Sequence, residues 1–119
     1  MGLTSVTMTI RKHKESEQSF EAEFLVDSGA VFSVAPALLL EQIGVEADDE
    51  QSFSLANAER ITRKTGDAYF EYEDRGGYAR VIFGEEGDTN LLGAMTLEAC
   101  RLILDPLKRE LRPLPMLLM

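Results

Sequence analysis

Tryptophan is absent from this chain, and cysteine and histidine each occur once. A lone cysteine, Cys100, allows neither an intrachain disulfide nor a cysteine metal cluster. The one histidine, His13, lies in Arg11 to Ser19, a polar stretch without an apolar residue. Ser-His-Asp or Cys-His chemistry needs a histidine held beside its nucleophile, and no Gly-x-Ser-x-Gly elbow is present. The expected readings are a solvated surface histidine and a buried structural thiol. Long apolar runs are also missing, so no membrane span is expected. Met1 to Val6 lacks the basic-then-apolar order of a signal peptide. Together with the single thiol, this points to a cytoplasmic setting. Basic residues are few: 12 Lys and Arg stand against 21 Asp and Glu, a net charge of −9. An acidic surface does not suit a phosphate backbone, so no nucleic-acid partner is expected. No Gly-rich phosphate loop with its Lys and no dinucleotide fingerprint occurs, and no cofactor is expected.

What is there is a chain of 119 residues, 45% hydrophobic and 28% charged. That profile predicts one soluble domain over 1–119 with a real core. Val6, Met8 and Ile10 alternate with Ser5, Thr7 and Thr9, the period of a strand. Phe20, Ala22, Phe24 and Val26 form a second strand, and Val31 to Val34 a third. Pro36 suits a first helical position for a short helix over 37–43, which Gly44 stops. Val45 to Gln51 holds Glu46, Asp48, Asp49 and Glu50. The EF-hand spacing and its central glycine are missing, so this reads as a solvated loop. Ser52 to Ala56 predicts a strand, Asn57-Ala58 a turn, and Glu59 to Lys64 an exposed polar segment. Ala68 to Tyr72 and Tyr78 to Phe83 predict two strands around a turn at Arg75-Gly76-Gly77. Asn90 to Gly93 predicts a further strand. Thr96 can cap a short helix through Cys100. Leu102 to Leu104 predicts a buried strand, stopped by Asp105-Pro106. The fold class expected is all-β with one or two short helices.

One acid stands out. Asp27 interrupts the apolar run Phe24-Leu25-Val26-Asp27-Ser28-Gly29-Ala30-Val31-Phe32. A buried carboxylate is costly unless it is hydrogen-bonded or paired. Ser28 offers a hydroxyl, and Gly29 permits a tight turn. Asp27 is therefore either a structural turn cap or a catalytic acid. A single carboxylate is a poor peptide-bond hydrolase. Two that share a proton divide the work, one taking a proton from water and one polarising the carbonyl. This chain offers one such acid, and a two-fold dimer would supply the second.

Leu25-Val26-Asp27-Ser28-Gly29-Ala30, followed by Ser33-Val34 and Pro36, resembles the active-site strand and turn of retropepsin-like aspartic proteases. Asn90-Leu91-Leu92-Gly93 with its following short helix is similar to that family's apolar-apolar-Gly strand and helix. Leu102-Ile103-Leu104-Asp105-Pro106 with Leu111-Arg112-Pro113 resembles the ending of small bacterial members. The resemblance implies a closed, orthogonal barrel-like retropepsin fold and a homodimeric aspartic endopeptidase acting on peptides or proteins. It implies that Asp27 is the catalytic acid. Ser28 would tie the two active-site loops together across the dimer, and Gly29 would present its N–H to the carboxylate. The family's flap, a hairpin closing over substrate, would fall near Leu55 to Ile61, and Ala30 would meet substrate together with Leu55, Ala56, Asn57 and Ala58. Leu91, Leu92 and Gly93 would brace the loop. The flap turn departs from the family's pattern, because many bacterial relatives carry Ala-Asp-Gly where this chain has Ala56-Asn57-Ala58.

Two other functions stay in view. A catalytically inactive module of the same fold could serve dimerisation or peptide binding. Glu85, Glu86 and Asp88 offer a metal-assisted hydrolase. Either the apolar ending, Leu114 to Met119, or the first strand, Leu3 to Ile10, is expected to pack across a dimer axis, the alternative being packing on its own subunit.

Overall fold

The computed structural model describes residues 3–115. Among these residues nine strands and two short helices follow one another. The strands are β1 (Ser5–Arg11), β2 (Ser19–Val26), β3 (Ser33–Pro36), β4 (Ala47–Ser54), β5 (Arg60–Tyr72), β6 (Arg75–Gly84), β7 (Leu91–Leu92), β8 (Leu102–Asp105) and β9 (Glu110–Pro113). The helices are α1 (Ala37–Gln42) and α2 (Ala94–Ala99). The all-β-dominated class expected from the alternation is what forms.

Seven strands make one sheet in the order β1-β2-β7-β3-β6-β5-β4. β1 also pairs with β5, through Thr9, Ile10 and Arg11, which joins the two sides of the sheet into a ring. Within the ring Val6, Met8, Ile10, Phe24, Phe70, Val81 and Leu92 are buried. Their alternate neighbours on β1 and β2 face outward or are half-buried, as a period of two requires. β8 and β9 form a separate two-stranded ribbon. No helix among the described residues is long and apolar enough to cross a membrane.

The chain order places β7 between β2 and β3. β2 runs parallel to β7, and β3 runs antiparallel to it. The link from β2 to β3, residues 27–32, must therefore arch over the end of β7. That arch carries Asp27.

Several boundaries differ from the sequence expectation. The third strand is Ser33–Pro36, not Val31 to Val34. Pro36 ends that strand and stands at the N-cap of α1, one place before the expected position. Gly44 does stop the helix, with φ of +87°. The acidic stretch after it is no loop: Ala47 to Ser54 is the sheet's edge strand β4. Its acids are exposed, and charges on an edge discourage pairing with other chains. Glu59 to Lys64 is also largely strand, the first half of β5. The turn between β5 and β6 falls at Tyr72 to Arg75, with Glu73 at φ +55°, so Gly76 and Gly77 lie inside β6. Thr96 caps nothing: α2 begins at Ala94 behind Gly93, and Thr96 is buried within it.

The first strand turns its apolar face into this subunit's own core, at Val6, Met8 and Ile10. Only Leu3, 75% exposed, is an exposed large apolar side chain in Leu3 to Ile10. The apolar ending falls mostly outside the described residues, since Met116 to Met119 are not among them.

Candidate active site

β2 ends at Val26, and the chain turns at once. The Asp27 N–H donates to the Leu92 carbonyl at 3.0 Å, and the Val26 N–H donates to the Thr4 carbonyl at 2.8 Å. The Gly29 N–H donates to Asp27 Oδ1 at 3.0 Å, and the Ala30 N–H to the Asp27 carbonyl at 3.0 Å. Asp27 therefore anchors its own turn. A Cβ on residue 29 would sit 3.3 Å from Asp27 Oδ1, so glycine keeps the carboxylate close to the backbone.

Asp27, Ser28 and Gly29 are exposed. This corrects the expectation of a buried acid. The apolar run is not one strand: β2 stops before Asp27, β3 starts at Ser33, and Val31 between them is 60% exposed. No desolvation cost arises in the single chain, and the Asp27 carboxylate is open to solvent or to a partner.

The arch is fixed from beneath by α2. The Gly93 N–H donates to Ser33 Oγ at 2.9 Å, the Ala94 N–H to the Ala30 carbonyl at 2.7 Å, and the Met95 N–H to the Val31 carbonyl at 3.1 Å. Amides at the start of α2, which have no partner inside the helix, are thus satisfied by the arch. The Ser33 and Thr96 hydroxyls share a buried hydrogen bond of 2.5 Å. Gly93 packs against the arch, and a Cβ there would lie 2.6 Å from the Phe32 carbonyl oxygen. Leu92 is fully buried in the core, while Leu91 is half-buried. Leu91, Leu92 and Gly93 thus lie under the arch.

Beside the arch runs a groove of about 660 Å³. Ala30, Val31 and Val34 form one wall, and Phe53, Leu55 and Ile61 from the β4–β5 hairpin lie across from them. Ala30, Leu55 and Leu91 are the sequence-predicted residues that meet there. Ala56, Asn57 and Ala58 do not line it; they are exposed at the hairpin tip. Leu55 and Glu59 close that tip, with Leu55 N–H donating to the Glu59 carbonyl at 2.8 Å. Asn57 Oδ1 accepts from the Glu59 N–H at 3.0 Å. The positive φ of the turn, 71°, falls on Ala58, where the resemblance expects glycine.

Arg63 and Asp88 also border the groove. Arg63 Nε donates to Asp88 Oδ2 at 2.8 Å and Nη2 to Oδ1 at 3.1 Å. The hydrogen bond from Arg63 holds the Asp88 carboxyl below the usual aspartate range. Asp88 is therefore committed to an arginine, which disfavours the metal option built on Glu85, Glu86 and Asp88. No cluster suited to a metal ion gathers among the described residues. Cys100 is buried, and its burial pushes the thiol up to about 11. His13 lies exposed in the β1–β2 loop.

Three contributors carry no signal in the motifs: Thr96 as partner of Ser33, the inward face of Phe53, and Arg63. The available signal was alternation. In Arg60 to Lys64 only Ile61 and Arg63 are partly covered, which is a strand's period written in mostly polar residues.

No family model matches this chain, and no curated protein matches it.

Proposed function

We propose that this chain is a retropepsin-like aspartic endopeptidase that cleaves peptide bonds as a homodimer. One observation carries the reading: the Asp27 carboxylate is exposed and held by the Gly29 N–H, on a braced arch whose next residues, Ala30 and Val31, line an apolar groove together with the β4–β5 hairpin. A carboxylate serving only as a turn cap needs neither the groove nor the roof.

The chemistry needs a second carboxylate, and a two-fold axis near Asp27 supplies it from another copy. Two acids held close do not both ionise, so one keeps its proton. The ionised Asp27 takes a proton from a water between them as that water attacks the peptide carbonyl. The protonated Asp27 donates to the carbonyl oxygen. Ser28, exposed at the same turn, would hydrogen-bond across that axis. Val31 and Met95, 60% and 39% exposed, flank the arch and give the second copy an apolar surface to cover. Substrate would lie extended in the groove beneath the hairpin, taking backbone hydrogen bonds as an added strand. Closing the hairpin over it would exclude water. The exposed tip residues Ala56, Asn57 and Ala58 would meet substrate only after such closure. With one thiol in the sequence, and that one buried, a reducing cytoplasm is the setting we assign.

The test is cleavage of a denatured protein and a peptide library from pH 3 to 7, beside Asp27→Ala, with sedimentation on both. Cleavage by the wild type, abolished in the variant, and a dimer at working concentration are expected. Equal cleavage by Asp27→Ala would remove the proteolytic reading. A dimer with no cleavage at any pH would leave the inactive binding module in its place.

A further inference from the structure

The β4–β5 hairpin is supported unevenly along its length. β6 pairs with β5 only from Thr65 onward. From Arg60 to Lys64 the sole strand neighbour is β4, so this part overhangs the ring. A two-stranded ribbon is marginal in water without something to hold its face. The overhang's inward residues, Phe53, Leu55 and Ile61, face the groove. An open groove gives them little to pack on.

Arg63 is the exception. Its planar fork meets both oxygens of Asp88, on the loop between β6 and β7. Its Nη1 donates to the Thr62 carbonyl at 3.0 Å and lies 3.6 Å from Glu85 Oε1. The two side chains of the fork are mostly covered, 15% exposed for Arg63 and 25% for Asp88. Asp88 is itself immobilised. The Glu85 N–H donates to its Oδ2 at 2.8 Å, and its own N–H donates to the Glu85 carbonyl at 2.9 Å. Among the described residues, Arg63 carries the ion pairs that join the overhang to the body. Paired forks of this kind fix orientation as well as distance.

We infer that the Arg63–Asp88 fork is a clamp that sets the position of the hairpin over the groove. Both are positioning residues: they act on a bound peptide through the hairpin, not by contact with the reacting atoms. The clamp deepens the protease reading and rests on it for its effect on cleavage. Its effect on the hairpin does not depend on any activity.

The experiment therefore reads both. Amide hydrogen exchange over residues 52–62 is measured in the wild type, Arg63→Met, Asp88→Asn and the double variant Arg63→Asp with Asp88→Arg. Each single variant is expected to exchange about tenfold faster in the hairpin, as loss of a partly buried bidentate pair allows, with β1 and β2 unchanged. The charge-reversed pair is expected to recover at least half of that change on a logarithmic scale. On a peptide the wild type cleaves, the single variants are expected to raise KM about tenfold with kcat within about twofold, the mark of lost uniform binding. Unchanged hairpin exchange in both single variants would overturn the clamp even if cleavage still depends on Asp27. If exchange rises throughout the chain, the reversed pair decides: recovery supports the clamp, and no recovery overturns it. Faster hairpin exchange in a protein that cleaves nothing would uphold the clamp and sink the protease.

Discussion

The two sides of the groove are built by opposite means. The arch at 27–32 is held by backbone hydrogen bonds from Ala94 and Met95, and its far end at Ser33 by buried hydrogen bonds to Gly93 and Thr96. The overhanging part of the hairpin is held by one strand neighbour and the ion pairs of a single residue, Arg63. Buried hydrogen bonds are costly to leave unmade, so the arch has one geometry. A single partly buried fork whose loss speeds opening about tenfold still lets the roof lift at a smaller cost than breaking the arch. A site that must fix a carboxylate and also admit a chain needs this division. It places precision where the proposed chemistry occurs and compliance where substrate would enter.

The contrast can be broken most severely at Gly93. A Cβ there meets the Phe32 and Val31 carbonyls, and the backbone on both sides is pinned. Gly93→Ala is expected to cost about 3 kcal/mol or more, read by urea unfolding, because overpacking and lost hydrogen bonds combine. A loss below about 1 kcal/mol would show that the arch gives way easily and would erase the contrast.

Thr96→Val comes next. It keeps the shape but leaves the Ser33 hydroxyl with only the Gly93 N–H. A loss of about 1–2 kcal/mol is expected by the same measurement.

On the hairpin side the effects are smaller and depend on pH. Asp88 titrates below its ordinary value in the folded protein, chiefly because Arg63 hydrogen-bonds it. A depressed carboxyl contributes stability above its unfolded value, and loses it as pH falls through the folded one. The melting-temperature gap between wild type and Asp88→Asn should be full near pH 6, narrow below about pH 4 and close further toward pH 2. A gap that widens on acidification would contradict the pair. The smallest expected effect is at the tip. Ala58 sits at φ 71°, in a region that costs a residue with a Cβ about 1 kcal/mol. Ala58→Gly should therefore stabilise the chain by about 0.5 kcal/mol, after the entropy glycine adds to the unfolded state.

The same contrast explains what the sequence could show. The arch was legible because its residues are unusual where they stand: an acid after an apolar strand, then Ser-Gly, and later Leu-Leu-Gly. Each announces a local constraint on the backbone. The hairpin's middle was not legible. Val45 to Gln51 and Glu59 to Lys64 are polar enough to resemble loops, yet both contribute to strands. An edge strand and an overhanging ribbon bury too little to impose apolar alternation. Asp27 stands among apolar residues in sequence, but those neighbours are not its neighbours in space, and the acid is exposed. The Ser33–Thr96 contact joins residues 63 positions apart, and no local pattern encodes it.

The placement of β7 between β2 and β3 has a consequence in time. A chain made from its N-terminus has Asp27 long before Leu91 to Thr96, and every brace under the arch comes from those later residues. Contacts so distant in sequence are among the slow ones to form. Through most of synthesis the Asp27 turn has nothing to close upon. The local turn at Asp27 can form early, but its bracing waits on the last third of the polypeptide, a delay written into the strand order.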